Sequence, residues 1–337
     1  MRSRSTFLPL RHALTARCSE AGLTLVELMI SLSLGLLVVA AAMALLLSTK
    51  AGYATQDEEA VVQDTGRYAL ENIARSVRQT AYENWDSNEA PVVSKADISP
   101  NINGLDAFSL KATSIGMQTP VSKSINGSDV LAIRFFGSGP QPAGDGTIVN
   151  CAGFSVPAAV SQNSAEDDRG WSIYYVAESA SGEPELYCKY SGDKGWTAQA
   201  IARGVESFQV LYGLDTDGDG LANQLVTATE IKALDDALVL EGANAEAKQR
   251  DKNRKTYWKK VVLLKIALLL RGERGTRGDA QKVQYDLFGK DYAASHGTDD
   301  AGTTIKETDL GSAVRNRMRR VFATTIQLRN RSSGSVT

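Results

Sequence analysis

Asp215, Asp217 and Asp219 alternate in DTDGDGLANQ and run into Gly220. Three carboxylates turned onto one loop repel one another, and a hard cation relieves that repulsion through oxygen ligands. The run matches the first half of an EF-hand-type loop, with the Leu221 carbonyl and Asn223 completing a candidate Ca²⁺ set. The twelfth position, where a bidentate Glu belongs, is Val226, and Glu230 could substitute only if the loop bends. The competing reading is a plain solvated turn, because Asp and Gly both favour turns.

Catalytic constellations are scarce. The chain has two histidines, His12 near the start and His296 in a Gly- and Asp-rich stretch, which excludes a His-cluster metal site and argues against a His-based triad. GSGPQPAGDG (137–146) is Gly-rich but follows no phosphate-binding fingerprint. RNRMRR (315–320) could touch phosphates, yet such runs more often keep a strand edge solvated and unpaired. No enzyme and no nucleic-acid partner are expected.

The N-terminus carries the sharpest signal. From Leu28 to Leu47 twenty residues lack a formal charge. At about 1.5 Å per residue such a helix spans a ~30 Å hydrocarbon core. Arg2, Arg4, Arg11 and Arg17 precede it, which favours a cytoplasmic N-terminus. A secretory signal is cut after its apolar core. Here Ala21-Gly22 stands before the core, so a cut at Gly22 leaves the span on the product. One carboxylate, Glu27, sits at the edge of the span, where it costs roughly up to 3 kcal/mol depending on depth.

GLTLVE, residues 22–27, resembles the cleavage site of type IV prepilins. The resemblance implies cutting after Gly22, methylation of the new N-terminal Leu23, and a Glu at mature position five, which is Glu27. Leu23 departs from the Phe that is common there. In a filament of bundled helices Glu27 would face the ammonium group of a neighbouring N-terminus. Of 37 basic and 39 acidic residues, the leader removes four and one, leaving 33 against 38, a balance that argues against bulk binding to nucleic acid. It also removes Cys18 and leaves Cys151 and Cys188 as an even pair beyond the span. A disulfide is the expected state in an oxidising compartment, worth about 3 to 4 kcal/mol in the chain-entropy model. Two unpaired buried thiols are the alternative.

These groups need elements to position them. After the span, Val62, Ala69, Ile73, Val77 and Ala81 recur at sevens and fours, with Arg67, Glu71, Arg75 and Arg78 turned away. The mature N-terminus therefore reads as one helix of about sixty residues, with its apolar part over 23–49 and an amphipathic stalk over 50–83. From Asn84 the period becomes two, and strands are expected at 129–137, 171–179, 184–190, 207–215, 259–272 and 319–330. Residues 228–253 are charged with weak helical character. Residues 271–312 are Gly-, Asp- and Thr-rich and read as a mobile loop. Helix followed by sheet indicates an α+β class, with a β-rich domain over 84–337 carrying both insertions.

The Tyr-rich amphipathic helix, YGLDTDGDG, LLLRG and RVFATTIQLRNR are similar to segments of the PilW family of pilus assembly proteins. That resemblance implies a minor pilin of the inner membrane with a single pass, a periplasmic C-terminal domain and a place in the pilus, up to its tip. Implied partners are the prepilin peptidase, other minor pilins, the major pilin and a tip adhesin. A minor pseudopilin of type II secretion would share leader, Glu and architecture. A signal-anchored Ca²⁺-dependent adhesin is the rival from another class.

Overall fold

The computed structural model describes residues 22–84, 94–277 and 283–330. Cys18, His12 and the remaining leader up to Ala21 lie outside them. Two compact units divide between Tyr53 and Ala54.

Helix α1, Leu25–Gln79, runs 55 residues. Up to Tyr53 its side chains are exposed, and by length and composition this part suffices to cross a membrane. From Ala54 onward the helix is amphipathic, with Val62, Ala69, Ile73 and Val77 buried at the expected spacing. It ends where Ala81 takes a left-handed backbone with φ of 55° and its N–H turns to the Arg134 carbonyl.

In the second unit, β1 (Ile102–Leu105), β2 (Val130–Phe135), β3 (Gly170–Glu178), β4 (Pro184–Gly192) and β5 (Gly195–Arg203) form an antiparallel sheet in sequence order. A short helix α2 (Ala165–Asp168) leads into β3. Strand β6 (Val205–Leu214) starts the other main sheet. It continues through β7 (Gln224–Val226), helices α3 (Ala228–Asp236) and α4 (Ala245–Lys255), and β8 (Val261–Arg271). Beyond these come β9 (Gln284–Asp286), α5 (Lys290–His296), β10 (Thr304–Lys306) and β11 (Arg319–Gln327). The second sheet has the order β11-β8-β6-β7, all neighbours antiparallel, and β9 pairs with β10. Mixed helix and sheet with a long apolar N-terminal helix is the α+β class expected.

The main core lies where both sheets meet α1. Ile73 and Val77 of the helix join Leu131, Phe135, Tyr174, Leu186, Phe208, Ile266 and Leu268. Burying a side chain of this size stabilises by about 1.5 to 3 kcal/mol. Gly66 lets the sheet approach α1 closely, since a Cβ there would come within 2.5 Å of the Phe322 ring.

The six strands read from the period of two are present, with ends shifted by a few residues. Strands β1, β5 and β7 carry no such signal. INGL is short and holds Asn and Gly, and GWTAQAIAR is Ala-rich with little burial on either face. The mobile loop expected over 271–312 is corrected by the structure. Its described residues hold β9, α5 and β10, and Leu287, Phe288, Ile305 and Leu310 cover Leu211, Ala267 and Leu269 on the outer face of the second sheet. Few apolar residues suffice because the sheet supplies the other half of that cluster. This also explains why β8 is apolar at consecutive positions: Leu264, Ile266 and Leu268 face α1, while Ala267 and Leu269 face the insertion. In the other charged stretch, α3 opens on a capping box made by Thr227 and Glu230.

Candidate functional site

Three groups of residues carry candidate chemistry. At the N-terminal junction Leu23 is 75 % exposed and precedes the first turn of α1. Thr24 and Glu27 cap that turn reciprocally. The Glu27 N–H donates to Thr24 Oγ1 at 3.2 Å, and the Thr24 N–H donates to Glu27 Oε2 at 3.4 Å. Glu27 is thus held at the positive end of the helix dipole, where a carboxylate is favoured. The pair was legible in the sequence as T-x-x-E, a signal that the cleavage motif overshadowed.

The acidic loop joins β6 to β7. Carboxylate oxygens of Asp215, Asp217 and Asp219 all lie within 4.8 Å of one another. Asp215, nearly buried, accepts the Gly218 N–H at Oδ1 (2.6 Å) and the Gly220 N–H at Oδ2 (2.8 Å). Asp219 accepts the Leu221 N–H at 2.7 Å. Asn223 serves the same loop: its amide nitrogen donates to Asp217 Oδ2 at 3.0 Å, and its Oδ1 accepts the Thr216 N–H at 2.6 Å. The three carboxylates lie close enough to share a cation, but oxygens of all three, like that of Asn223, already accept hydrogen bonds inside the loop. Glu230 does not turn into the loop, because Oε2 accepts the Thr227 N–H at 2.7 Å. Val226 is buried in the main core and pairs with Tyr212.

Cys151 and Cys188 are joined by a disulfide, with Cα atoms 5.8 Å apart. Around it lies a buried polar set that sequence patterning did not indicate. Asn72 Nδ2 donates to the Cys151 carbonyl at 3.1 Å, and the Cys151 N–H donates to Ser172 Oγ at 2.9 Å. The Tyr174 hydroxyl donates to Asn72 Oδ1 at 2.8 Å and lies 2.7 Å from Ser76 Oγ. Burial raises the Tyr174 hydroxyl far above the ordinary tyrosine range. Because the polar atoms of Asn72 and Ser76 have partners here, α1 is fixed in register against β3 and the disulfide.

His296 is exposed at the end of α5, stacked on Tyr292 with ring centroids 4.5 Å apart. A cavity of about 400 Å³ lies between β1 and the two helices α3 and α4. Its three carboxylates are all engaged: Asp106 accepts the Ala228 and Thr229 N–H groups, Asp235 accepts Thr256 Oγ1 and the Tyr257 N–H, and Asp236 pairs with Lys232. Burial pushes the Asp300 carboxyl up to about 6 and lowers the Lys189 and Lys259 ammonium groups to about 8.

Residues 17–43 match the prokaryotic N-terminal methylation motif, and residues 173–330 match Type IV Pilus-assembly protein W. Comparison with curated proteins gave no match. Among solved structures, a type IV-like pilin from Thermus thermophilus aligns at 12 % identity over 80 % of this chain and 97 % of that one. Its TM-score is 0.32, too low to support any argument from likeness of shape. The chain therefore combines, in one polypeptide, a match to the prokaryotic N-terminal methylation motif and a match, over less than half of its length, to Type IV Pilus-assembly protein W.

Proposed function

We propose that this chain is a minor pilin that takes part in assembling or priming a type IV pilus, as a structural and interaction protein without catalysis of its own. One observation carries the reading. Gly22-Leu23 stands directly before a helix exposed and uncharged from Leu28 to Leu47, in a chain whose later residues match an assembly protein. The prepilin peptidase would cut between Gly22 and Leu23 and methylate Leu23. The apolar part of α1 would hold the subunit in the inner membrane until it enters the filament, with the β-rich unit on the periplasmic side. Other minor pilins, the major pilin and a tip adhesin are the partners.

Two measurements test this. Mass spectrometry of the mature N-terminus should show methylated Leu23, and an intact leader in cells with active peptidase would refute the processing. Deleting the gene should remove surface pili and leave type II secretion unchanged. Normal piliation with lost secretion would assign the subunit to a secretion pseudopilus instead.

A further inference from the structure

The insertion after β8 is fastened by different means at its base and at its tip. At the base, opposite charges meet. Glu307, 1 % exposed, accepts Arg277 Nη1 at 2.8 Å and Arg319 Nη1 at 3.3 Å, and Arg319 Nε donates to Glu206 of β6 at 2.6 Å. The tip, residues 287–305, rests on the outer face of the second sheet, where Leu287, Phe288 and Ile305 cover Leu211, Ala267 and Leu269. Its far end is wedged against the turn at Asn126 and Gly127. A Cβ on Gly302 would come within 2.3 Å of the Asn126 carbonyl oxygen, and Ser207 Oγ donates to the Gly302 carbonyl at 3.1 Å.

This seat closes over Asp300, which is 8 % exposed. From the insertion itself, Tyr292 donates to Asp300 Oδ2 at 2.8 Å and His296 attracts the carboxylate. Lys290, Asp291 and Asp299 of the insertion are exposed, and Lys265 of the sheet face packs over Phe288. The segments packed against the tip supply carboxylates: Asp106 after β1, Asp129 before β2 and Glu230 on α3. Their oxygens serve backbone N–H groups, Asp106 at Ala228 and Thr229, Asp129 at Ala107 and Val210, and Glu230 at Thr227. Docking the tip thus strips water from one carboxylate and brings like charges towards it.

We propose that the insertion is a proton-operated flap: losing the Asp300 proton lifts the tip off the Asn126–Gly127 turn and the sheet, while the ion pairs at its base keep it attached. Lifting uncovers Leu211, Ala267 and Leu269. Burial, then repulsion from Asp106 and Glu230, sets the seated carboxyl at about 6, against 3.8 for a solvated one. The closed form therefore holds the extra proton, so closure is firmest at low pH and weakens as pH rises through about 6. The open fraction should grow roughly 50-fold from pH 4 to pH 7 and change little above that.

Peptide-resolved hydrogen exchange on the full chain in detergent, corrected for the intrinsic pH dependence of exchange, tests the flap. The tip, read at the Leu287 N–H that donates to the Thr303 carbonyl, should exchange faster than β8 at every pH. Its protection should fall about 50-fold between pH 4 and pH 7. Asp300→Asn, which keeps an oxygen for Tyr292, should flatten that dependence. Should this variant not accumulate, Asp106→Asn decides, since weaker repulsion should move the midpoint of the wild-type curve to lower pH. Tip protection equal to that of β8, tip protection constant with pH, the same pH dependence in Asp300→Asn, or an unmoved midpoint in Asp106→Asn would each overturn the proposal.

Discussion

Asp215 directs both carboxylate oxygens at backbone N–H groups of its own loop, so the turn is ordered by hydrogen bonds before any ion is considered. The remaining repulsion between Asp217 and Asp219 is what a cation would relieve. Lacking a twelfth ligand, the site should be weak, with affinity of about 10⁻⁴ to 10⁻³ M. Calcium at about 10 mM should then raise Tm of the full chain by roughly 2 to 4 °C, and Asp217→Ala should abolish the rise. No shift would leave a plain turn. Val226→Glu, which restores the ligand on paper, should instead destabilise, because residue 226 lies in the core. A second residue sets a pH dependence. Tyr292 donates to Asp300 Oδ2 at 2.8 Å, but burial, with repulsion from Asp106 and Glu230, outweighs that bond and the attraction of His296. With a carboxyl pKa of about 6 against 3.8 when unfolded, the folded state holds the extra proton between those values. Asp300 therefore contributes stability at low pH that is lost as pH rises from about 4 through about 6. Asp300→Asn should gain about 3 kcal/mol over wild type at pH 7 and approach it near pH 4 in denaturant titrations. An unchanged difference across that range would refute the assignment.

At the level of elements, the contact between α1 and β11 turns on one glycine. A Cβ at residue 66 would meet three atoms of the Phe322 ring at 2.5 to 2.6 Å. Gly66→Ala would raise the helix propensity of α1 by about 1 kcal/mol, yet overpacking of this kind costs about 1 to 3 kcal/mol. The variant should lower Tm, and Gly66→Ala with Phe322→Leu should recover most of the loss. A Gly66→Ala chain as stable as wild type would show that the ring moves freely. The insertion after β8 is tied to α1 in a similar way, since the buried Glu58 carboxylate accepts the N–H groups of Glu273 and Arg274. Composition alone made that insertion look mobile, because its few apolar residues gain meaning only against the sheet face they cover.

For the whole molecule, the two units place different demands on α1. Its first part presents Leu, Val, Ile and Met side chains that the chain itself does not cover, and its second part is fixed by the Asn72–Tyr174–Ser76 set. Glu27 belongs to the first part, where it is exposed and bonded to Thr24. Glu27→Ala should accordingly leave the β-rich unit folded and cleavage at Gly22 intact while reducing piliation. Normal pilus numbers from a processed Glu27→Ala chain would remove the proposed pairing with a neighbouring amine.

How much was legible follows from the range of each signal. The long helix and the strands with a clean period of two are written locally, so residue order alone determined them. The acidic triplet was legible as a turn too, although its neighbours' roles were not. Asn223 proved to be a hydrogen-bonding strut, Glu230 a helix cap and Val226 a core residue, and each assignment depends on partners brought near by the turn from β6 into β7 and α3. Contacts between distant segments are a property of packing, where burial and hydrogen-bond satisfaction are settled by the whole chain at once. Tertiary structure alone decided that Gly66 meets Phe322, that Asn72 meets Tyr174, and that a Gly- and Asp-rich insertion closes a second core.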